Sequence, residues 1–158
     1  MDDPSQEIAQ DMAQAVFAEL HGTMDGAEGV KLFTISALDH KAGLARRAYS
    51  SDPAAYPVTG TKPMVPDGWS ALVLDRGETF VANTTAEFSP YFPDHALINS
   101  LGCQSAVNIP VMHNGHVFGT VNLLDVENHF PADRVERLKA MVAARRVELI
   151  LALKAALG

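Results

Sequence analysis

The sequence predicts an α+β fold in which an antiparallel sheet packs against helices at the two ends of the chain. Residues 105–125 read as two strands joined by Asn114-Gly115, and Asn-Gly between apolar runs is the strongest short-range signal of a β-hairpin. Shorter apolar strand segments precede this hairpin. Amphipathic helical patterns occupy residues 4–21 and 131–156.

Length, charge and cysteine content exclude several classes of protein. With 158 residues, the chain is predicted to form a single domain over residues 1–158. Its formal charge of −7 argues against a general nucleic-acid binder, which needs a basic surface. The single cysteine, Cys103, excludes an intramolecular disulfide and a multi-cysteine metal site. Because neither a signal peptide nor a membrane-spanning apolar run is recognisable, we expect a soluble, cytoplasmic protein.

The first half of the chain is predicted to contain one helix, two strands and a long irregular segment. Asp3 is a capping residue and Pro4 suits the first helical position, while Gly22 marks the predicted helix end. Strands are expected at residues 30–38 and 44–49. Residues 50–66 contain four prolines, which disfavour regular structure. This segment is either an ordered loop beside a pocket, which we favour, or a disordered one.

The second half is predicted to complete a sheet and pocket region of about residues 30–126. Asp67 caps a short helix that ends before Gly77, a strand follows at 78–83, and residues 84–91 are expected to form a loop. A further short helix precedes the hairpin. The helix at 131–156 is longer than one face of a small sheet can cover. Its spare apolar surface predicts a homodimer formed with the first helix, and a frayed tail is the alternative.

The two-residue turn also predicts the register of the hairpin. Counting back from Asn114-Gly115 places Val111 opposite Phe118 and Val107 opposite Asn122. In this register Asn108 and Asn122 lie on opposite faces of the sheet. Both faces are largely apolar, so the hairpin is predicted to lie at the centre of the sheet.

Four segments together resemble a GAF domain: GETFVAN (77–83), LGCQSAVNIPV (101–111), NGHVFGTVNLLD (114–125) and FPAD (130–133). The resemblance extends from about residue 15 to residue 147. It implies a profilin/PAS-like antiparallel sheet of about six strands with the terminal helices on one face. A small-molecule pocket would lie on the other face, beneath loops and short helices. GAF domains bind cyclic nucleotides, bilins, haem or amino-acid-like effectors, and a few are enzymes, so the fold alone does not supply the function.

The enzyme to compare is the free methionine-R-sulfoxide reductase group, which also consists of one GAF domain. Its chemistry requires a thiolate nucleophile and a second, resolving thiol. Alignment on the Ile-Pro-Val strand places that group's cysteines and carboxylates at about Asn99, Trp69 or Ser70, Asn122 and Leu124. None of these residues is a cysteine or an acid, and Cys103 matches none of them. We therefore expect no such activity. The comparison also indicates that the sheet face carrying Asn122 is the ligand side. Asn108, on the opposite face in the predicted register, is expected to pack against the terminal helices.

Other ligand classes of the family fit the sequence less well than an unidentified small molecule. The Asn-Lys and Asp-Glu pairs of cyclic-nucleotide binders are missing, and Cys103 lacks the adjacent histidine of covalent bilin binders. His113 and His116 face each other at the hairpin tip, where two ligands make only a weak metal site. No metal and no cofactor are therefore expected.

The predicted ligand contacts are aromatic and polar side chains around the implied pocket. Trp69 either floors the pocket or closes a core, and the polar residues either orient a ligand or satisfy local backbone groups. One residue of the Arg46-Arg47 pair is able to neutralise an acidic ligand. The complete predicted set is Trp69, Asn83, Tyr91, His95, Asn99, Ser105 and Asn122.

These observations predict a non-catalytic sensory domain that binds a small organic molecule and forms a homodimer, with neither nucleic acid nor membrane as a partner. One alternative is an interaction module whose pocket is filled by its own side chains. The other is a redox protein that uses Cys103, although a small buried hydrophobe is the usual role of such a cysteine.

Overall fold

The computed structural model describes residues 3–158, so the first two residues of the predicted domain lie outside the described residues. The helices are α1 (Pro4–Glu28), α2 (Gly68–Ser70), α3 (Thr85–Phe88), α4 (His95–Ser100), α5 (Ala132–Ala144) and α6 (Arg146–Leu157). A π-helical turn over Ala71–Asp75 continues α2. The strands are β1 (Leu32–Asp39), β2 (Leu44–Ser50), β3 (Thr61–Pro63), β4 (Phe80–Ala82), β5 (Ser105–His113) and β6 (His116–Asp125).

The six strands form one open antiparallel sheet in the order β3-β2-β1-β6-β5-β4. This confirms the predicted α+β fold. On one face, α1, α5 and α6 bury a core that includes Phe17, Leu20, Phe33, Leu123, Leu138, Leu149 and Leu153. On the other face, the loops and short helices cover a smaller apolar cluster that includes Val73, Phe80, Phe88, Ile98 and Leu124. No helix within residues 3–158 is long and apolar enough to cross a bilayer.

The predicted register of the hairpin is wrong beyond its tip, because a β-bulge interrupts the pairing of β5 with β6. Met112 pairs with Val117 as the turn predicts, but Val111 pairs with Gly119, which leaves Phe118 without a partner on β5. A bulge inserts one extra residue into one strand, and every side chain beyond it changes face relative to its partner strand. Asn108 therefore lies opposite Asn122 on the same face of the sheet. The prediction that Asn108 packs against the terminal helices is wrong.

Helix α1 continues six residues past the predicted end near Gly22 and reaches Glu28. A glycine inside a helix costs roughly 1 kcal/mol relative to alanine. The burial of Met24 on the sheet side offsets this cost. The helix ends at Gly29, whose φ of 76° lies in the left-handed region that glycine adopts without strain.

The single C-terminal helix predicted for residues 131–156 is instead two helices that meet at Arg145. This residue leaves helical geometry at φ −116° and ψ 20°. Its guanidinium binds Glu19 of α1 at 3.2 Å and Glu148 of α6 at 2.7 Å. The break allows α6 to pack along α1, where Leu149, Ala152 and Leu153 are buried. A frayed tail does not describe this part of the chain.

The proline-containing segment at 50–66 is an ordered loop that contains the edge strand β3. Pro63 ends this strand, which is possible because an edge strand has one side without ladder partners. Two backbone hydrogen bonds tie the loop to β2: Arg47 N donates to the Gly60 carbonyl at 2.9 Å, and Thr59 N donates to the Arg47 carbonyl at 2.8 Å.

The segment predicted as a loop at 84–91 contains α3, which is capped by Thr84.

His21 connects α1 to the sheet through two aromatic neighbours. Its ring stacks on Phe33 with centroids 4.7 Å apart, and its Nδ1 lies 2.9 Å from the Tyr49 hydroxyl. Burial lowers the pKa of His21, with the negative charge of Asp25 opposing the change. Burial also raises the pKa of Tyr49, so the phenol keeps its proton and forms a hydrogen bond with the imidazole as a neutral group.

We expect stability to fall on acidification because of His21. Below the ordinary histidine pKa of about 6.5, the unfolded state binds more protons at this site than the folded state, so the free energy of unfolding decreases as pH falls. Urea unfolding at pH 7.5 and pH 5.0 should show a smaller pH dependence for His21→Gln than for the wild type. His113→Gln, at an exposed histidine of the hairpin tip, is the matched control. Equal pH dependence in the wild type and both variants would contradict this role.

Candidate functional site

A cavity of about 680 Å³ lies between the sheet and the covering loops. Strands β1, β2, β5 and β6 form its floor. The 50–66 loop, the α2 region and residues 90–94 form its cover. A volume of this size is within the usual range of small-molecule sites. The lining of this cavity includes Leu32, Thr34, Ser36, Arg47, Tyr56, Lys62, Trp69, Tyr91, Asp94, Asn108, Thr120, Asn122 and Leu124.

A chain of hydrogen bonds crosses the floor of the cavity. Trp69 Nε1 donates to Asn108 Oδ1 at 2.9 Å, and Asn108 Nδ2 donates to Asn122 Oδ1 at 2.8 Å. Asn122 Nδ2 then donates to the hydroxyls of Thr34 at 3.2 Å and Ser36 at 3.3 Å. The cross-strand pairs Asn108–Asn122 and Thr34–Asn122 bring these groups together. Among residues 3–158, no fully buried side-chain nitrogen or oxygen lacks a hydrogen-bond partner, so the two amides of the floor are satisfied.

The position of Trp69 follows from the helix start that precedes it. Asp67 Oδ1 accepts from Ser70 N at 2.8 Å, and Ser70 Oγ accepts from Asp67 N at 2.9 Å. This reciprocal capping box orients the first turn. A Cβ at Gly68 would lie 3.2 Å from the Tyr91 hydroxyl oxygen, so glycine lets Tyr91 approach the turn. The two aromatic side chains thus form one side of the cover.

Arg47, Tyr56 and Asp94 form a polar cluster at the opposite side of the cover. The guanidinium carbon of Arg47 lies 4.8 Å from the centroid of the Tyr56 ring, and its Nη1 donates to the Pro57 carbonyl at 3.0 Å. The Tyr56 hydroxyl donates to Asp94 Oδ2 at 2.5 Å. Burial, together with this hydrogen bond to a carboxylate, raises the pKa of Tyr56 well above its usual value. Tyr56 is therefore a neutral phenol, and its bond attaches the 50–66 loop to the start of α4.

Three of the seven predicted site residues line the cavity, namely Trp69, Tyr91 and Asn122. The other four lie elsewhere and bond to neighbouring groups, and the bonding partners are mostly backbone. Asn83 Nδ2 donates to the Phe130 carbonyl at 2.9 Å, and Asn83 Oδ1 accepts from Phe130 N at 2.9 Å. It lies at a separate cleft of about 340 Å³ between β4 and α5. The alternative stated for such polar residues, satisfaction of local backbone groups, describes Asn83.

His95, Asn99 and Ser105 also lie outside the cavity lining. His95 Nδ1 is 2.8 Å from the Phe92 carbonyl oxygen. Asn99 Nδ2 donates to the Cys103 carbonyl at 2.9 Å, and the Ser105 hydroxyl donates to the Val126 carbonyl at 2.6 Å. Each side chain holds a turn or strand end in place. Residue type alone did not distinguish this role from ligand contact.

The prediction missed most of the polar lining. Thr34 and Ser36 alternate with the apolar residues of β1, and this period-2 pattern was a usable signal for one face. Asn108 was assigned to the wrong face because of the bulge. Of the arginine pair, Arg47 lines the cavity and Arg46 does not. Tyr56 and Asp94 lie 38 residues apart in sequence and carry no local signal of their contact.

Cys103, the predicted redox candidate, is completely buried in the apolar cluster on the loop side of the sheet. Burial raises the pKa of its thiol to about 11, and the carboxylate of Asp125 acts in the same direction while Lys31 opposes it. The thiolate is the reactive form, so little of it is present near neutral pH. Within residues 3–158 no group of three or more His, Cys, Asp or Glu side chains is arranged to hold a metal ion.

A family model described as a GAF domain matches residues 4–144. This match covers most of the chain, which therefore belongs to the GAF domain family. The family consists of sensory and ligand-binding domains of signalling proteins. A comparison with curated proteins finds no match.

Solved GAF structures are similar to this fold. A GAF/HD domain protein from Geobacter sulfurreducens has 13% identity and a TM-score of 0.69, over 87% of this chain and 91% of that one. The type II free methionine-R-sulfoxide reductase from Thermoplasma acidophilum has 17% identity and a TM-score of 0.64, over 92% and 94%. The blue-light-absorbing PixJ GAF domain from Thermosynechococcus elongatus has 8% identity and a TM-score of 0.65, over 95% and 90%. At these identities the comparison supports the fold alone.

The burial of Cys103 predicts low reactivity in the folded protein. We expect alkylation by iodoacetamide at pH 7.5 to be at least about a hundredfold slower in the native protein than in guanidinium chloride, because the thiolate is both scarce and inaccessible. Mass spectrometry of samples quenched over time measures the two rates. Comparable rates in the two conditions would show that the thiol is available, and would support the redox alternative.

Proposed function

We propose that this GAF domain is a non-catalytic sensor that binds a small organic molecule in the cavity beneath Trp69 and Tyr91. The observation that carries the proposal is the cavity itself, about 680 Å³ between a sheet floor with amide and hydroxyl groups and a cover that includes Trp69 and Tyr91. Polar groups of this kind orient a ligand, while the apolar surface contributes binding free energy. We also propose that the protein is cytoplasmic, because a single cysteine suits a reducing compartment and a net negative charge suits a soluble protein. Cell fractionation tests this location.

The chemistry of the lining supports binding rather than catalysis. The polar side chains at the floor are amides, hydroxyls and the Arg47 guanidinium, and neither a thiol nor an imidazole belongs to the described cavity lining. The reductase reaction needs two thiols. The positions that align with its cysteines hold Asn99 and either Trp69 or Ser70, and Cys103 is enclosed in the apolar cluster. The low sequence identity to the reductase structure carries no activity to this chain.

One observation favours the interaction module as a second candidate function. Trp69 reaches the central hairpin through its bond to Asn108, so part of the pocket is filled by the protein's own indole. The remaining volume is nevertheless large enough for a small ligand. The two candidates differ in whether any small molecule stabilises the fold.

A metabolite screen by thermal shift is expected to find at least one stabilising compound. A ligand present at about one hundred times its Kd should raise the Tm by roughly 5–10 °C for a domain of this size. Trp69 is the only tryptophan, so its fluorescence should change in the same titration.

A cavity-filling variant and a surface variant complete this test. Ala45→Phe adds a ring inside the cavity lining and should abolish the shift, whereas Ala140→Phe on the exposed side of α5 should preserve it. If no compound stabilises the wild type, the ligand-binding proposal fails and the interaction module is favoured. If Ala45→Phe responds like the wild type, the compound binds outside this cavity and the proposed binding site is wrong.

We also propose that the domain forms a homodimer through α1 and α6. These helices run antiparallel, because Arg145 at the start of α6 binds Glu19 while Gly158 at its end lies beside Gln6. Their inner faces are buried in the core. On the outer face, four large apolar side chains are more than half exposed: Ile8 at 59%, Met12 at 65%, Val147 at 66% and Leu151 at 63%.

A second copy of the same helix pair is the partner that fits this surface. Two such pairs related by a two-fold axis would form a four-helix contact in which each copy covers the apolar stripe of the other. Exposed apolar patches on soluble domains are commonly interaction sites, whereas isolated exposed residues are not. The four residues follow i, i+4 spacing on both helices and form one stripe.

The dimer is tested by introducing charge into this stripe. Sedimentation equilibrium of the wild type should give twice the 17.0 kDa chain mass. The double variant Met12→Glu/Leu151→Glu should give the monomer mass, because two buried carboxylates per subunit oppose association. Val126→Glu, at an apolar residue that is 45% exposed on another part of the surface, is the control. A monomeric wild type, or a dimeric double variant, contradicts the proposed interface.

A further inference from the structure

The hydrogen-bond chain on the cavity floor has a defined direction. The indole N–H of Trp69 is only a donor, so the group facing it on Asn108 must be the amide oxygen. The Asn108 amide nitrogen then faces Asn122, whose own oxygen must accept that bond. It follows that the Asn122 nitrogen faces the hydroxyls of Thr34 and Ser36. The tryptophan thus determines the orientation of both amides.

This direction makes the hydroxyls at the end of the chain donors toward the cavity. Thr34 Oγ1 and Ser36 Oγ each accept a hydrogen from Asn122, and neither donates to another group among the described residues. Their hydroxyl hydrogens are therefore available to a ligand. Thr120 also lines the cavity, and its hydroxyl makes no hydrogen bond within residues 3–158. The floor consequently offers three hydroxyl donors.

Cationic side chains lie next to these donors. In the register of the sheet, Ser36 pairs with Arg47 on one side and with Thr120 on the other, so the three side chains form one row. Lys62 lines the cavity from the neighbouring strand β3. In the described part of the chain, neither Arg47 nor Lys62 lies within ion-pair distance of a carboxylate, and only one of the five guanidinium N–H groups donates to the protein.

The carboxylates of the lining are engaged on the cover side of the cavity. Asp94 accepts from Tyr56, and Asp67 accepts from the backbone of Ser70. Arg47 extends from β2 and Lys62 from β3, so both positive charges are carried by strands, whereas Asp67 and Asp94 belong to the covering segments. An anionic group of a ligand is therefore favoured beside the strands, and a second anionic group on the same ligand would approach the carboxylates of the cover.

The rows of the sheet change from apolar to cationic along the strands. Leu32 pairs with Leu124 in the first row, Thr34 with Asn122 in the second, and Ser36 with Thr120 beside Arg47 in the third. A bound molecule therefore meets apolar surface at Leu32 and Leu124 and, two rows further along, donors with positive charge, beyond which a fourth row of Leu38 and Ala45 is apolar again. A ligand complementary to this gradient has an apolar body and an anionic group rich in acceptors.

We propose that the cavity binds a small organic monocarboxylate, with the carboxylate over Ser36 and Thr120 beside Arg47 and the apolar body over Leu32 and Leu124. The inference rests on the proposed ligand-binding function and specifies its chemical class. A carboxylate has only acceptors, which matches the hydroxyl hydrogens and the guanidinium N–H groups that the floor has available. A primary amide of the same shape lacks the negative charge that pairs with Arg47 and Lys62, and the ammonium form of an amine brings a like charge toward them.

The test is a set of matched compounds titrated into the full chain and followed by Trp69 fluorescence and calorimetry. The set contains the acid, the primary amide and the amine on phenylpropyl, cyclohexylpropyl and 4-methylpentyl skeletons. We expect at least one acid to bind about tenfold or more tightly than its amide, with the amine weakest. An amide or amine that binds as tightly as its acid overturns the carboxylate inference but leaves ligand binding intact. If none of the acids binds, the carboxylate inference fails, and the metabolite screen decides the proposed function separately.

Two variants test the assigned contacts. Arg47→Gln should weaken binding of the acid about tenfold and leave the affinity for the amide unchanged. Arg46 does not line the cavity, so Arg46→Gln is the control and should change neither affinity. Thr120→Val removes one hydrogen-bond donor and leaves the contacts between Arg47 and the loop intact, so it tests the same position if Arg47→Gln does not fold. This variant should bind the acid roughly threefold to tenfold more weakly than the wild type. Acid affinities in both variants equal to that of the wild type would overturn the assigned position of the carboxylate.

Discussion

The β-bulge at Phe118 determines which side chains of the central hairpin face the cavity. Because it leaves one residue of β6 unpaired, Asn108 and Asn122 become cross-strand partners on a single face. Their amides then connect Trp69 in the cover to the hydroxyls of β1. Without this register the two amides would lie on opposite faces, and one would enter the apolar core beneath the helices. The bulge thus serves both the stability of the core and the chemistry of the site.

The two faces of the sheet differ in function: one packs the main core, and the other borders the cavity. On the helix side, α1, α5 and α6 bury large apolar side chains in the larger core. On the loop side, the apolar cluster is smaller and the space beside it remains open. The hydrogen bond from Tyr56 to Asp94 holds the proline-containing loop over this space. A rigid sheet that positions functional groups from loops is a common arrangement for binding sites.

The elements with strong local signals were predictable from the sequence. The Asn-Gly turn, the Pro4 helix start and the amphipathic patterns indicated the hairpin and the terminal helices, and the GAF-like segments implied the six-stranded sheet. The errors have local physical reasons. Glycines inside α1 were outweighed by the burial of Met24, and Arg145 broke the last helix through contacts with Glu19 of α1. Neither effect is visible in a single segment, because each depends on a partner distant in sequence.

The sequence by itself determined the fold class, the family resemblance and the aromatic residues Trp69 and Tyr91 at the cavity. It did not determine the polar half of the site. Asn83, Asn99 and Ser105 have the same residue types as true lining residues, but in the fold they bond mainly to backbone groups. Only the tertiary structure brought Thr34, Ser36 and Arg47 into a common surface with Asn122. The physical reason is register: local patterns give each strand two faces, and only pairing with a partner strand decides which face meets the cavity.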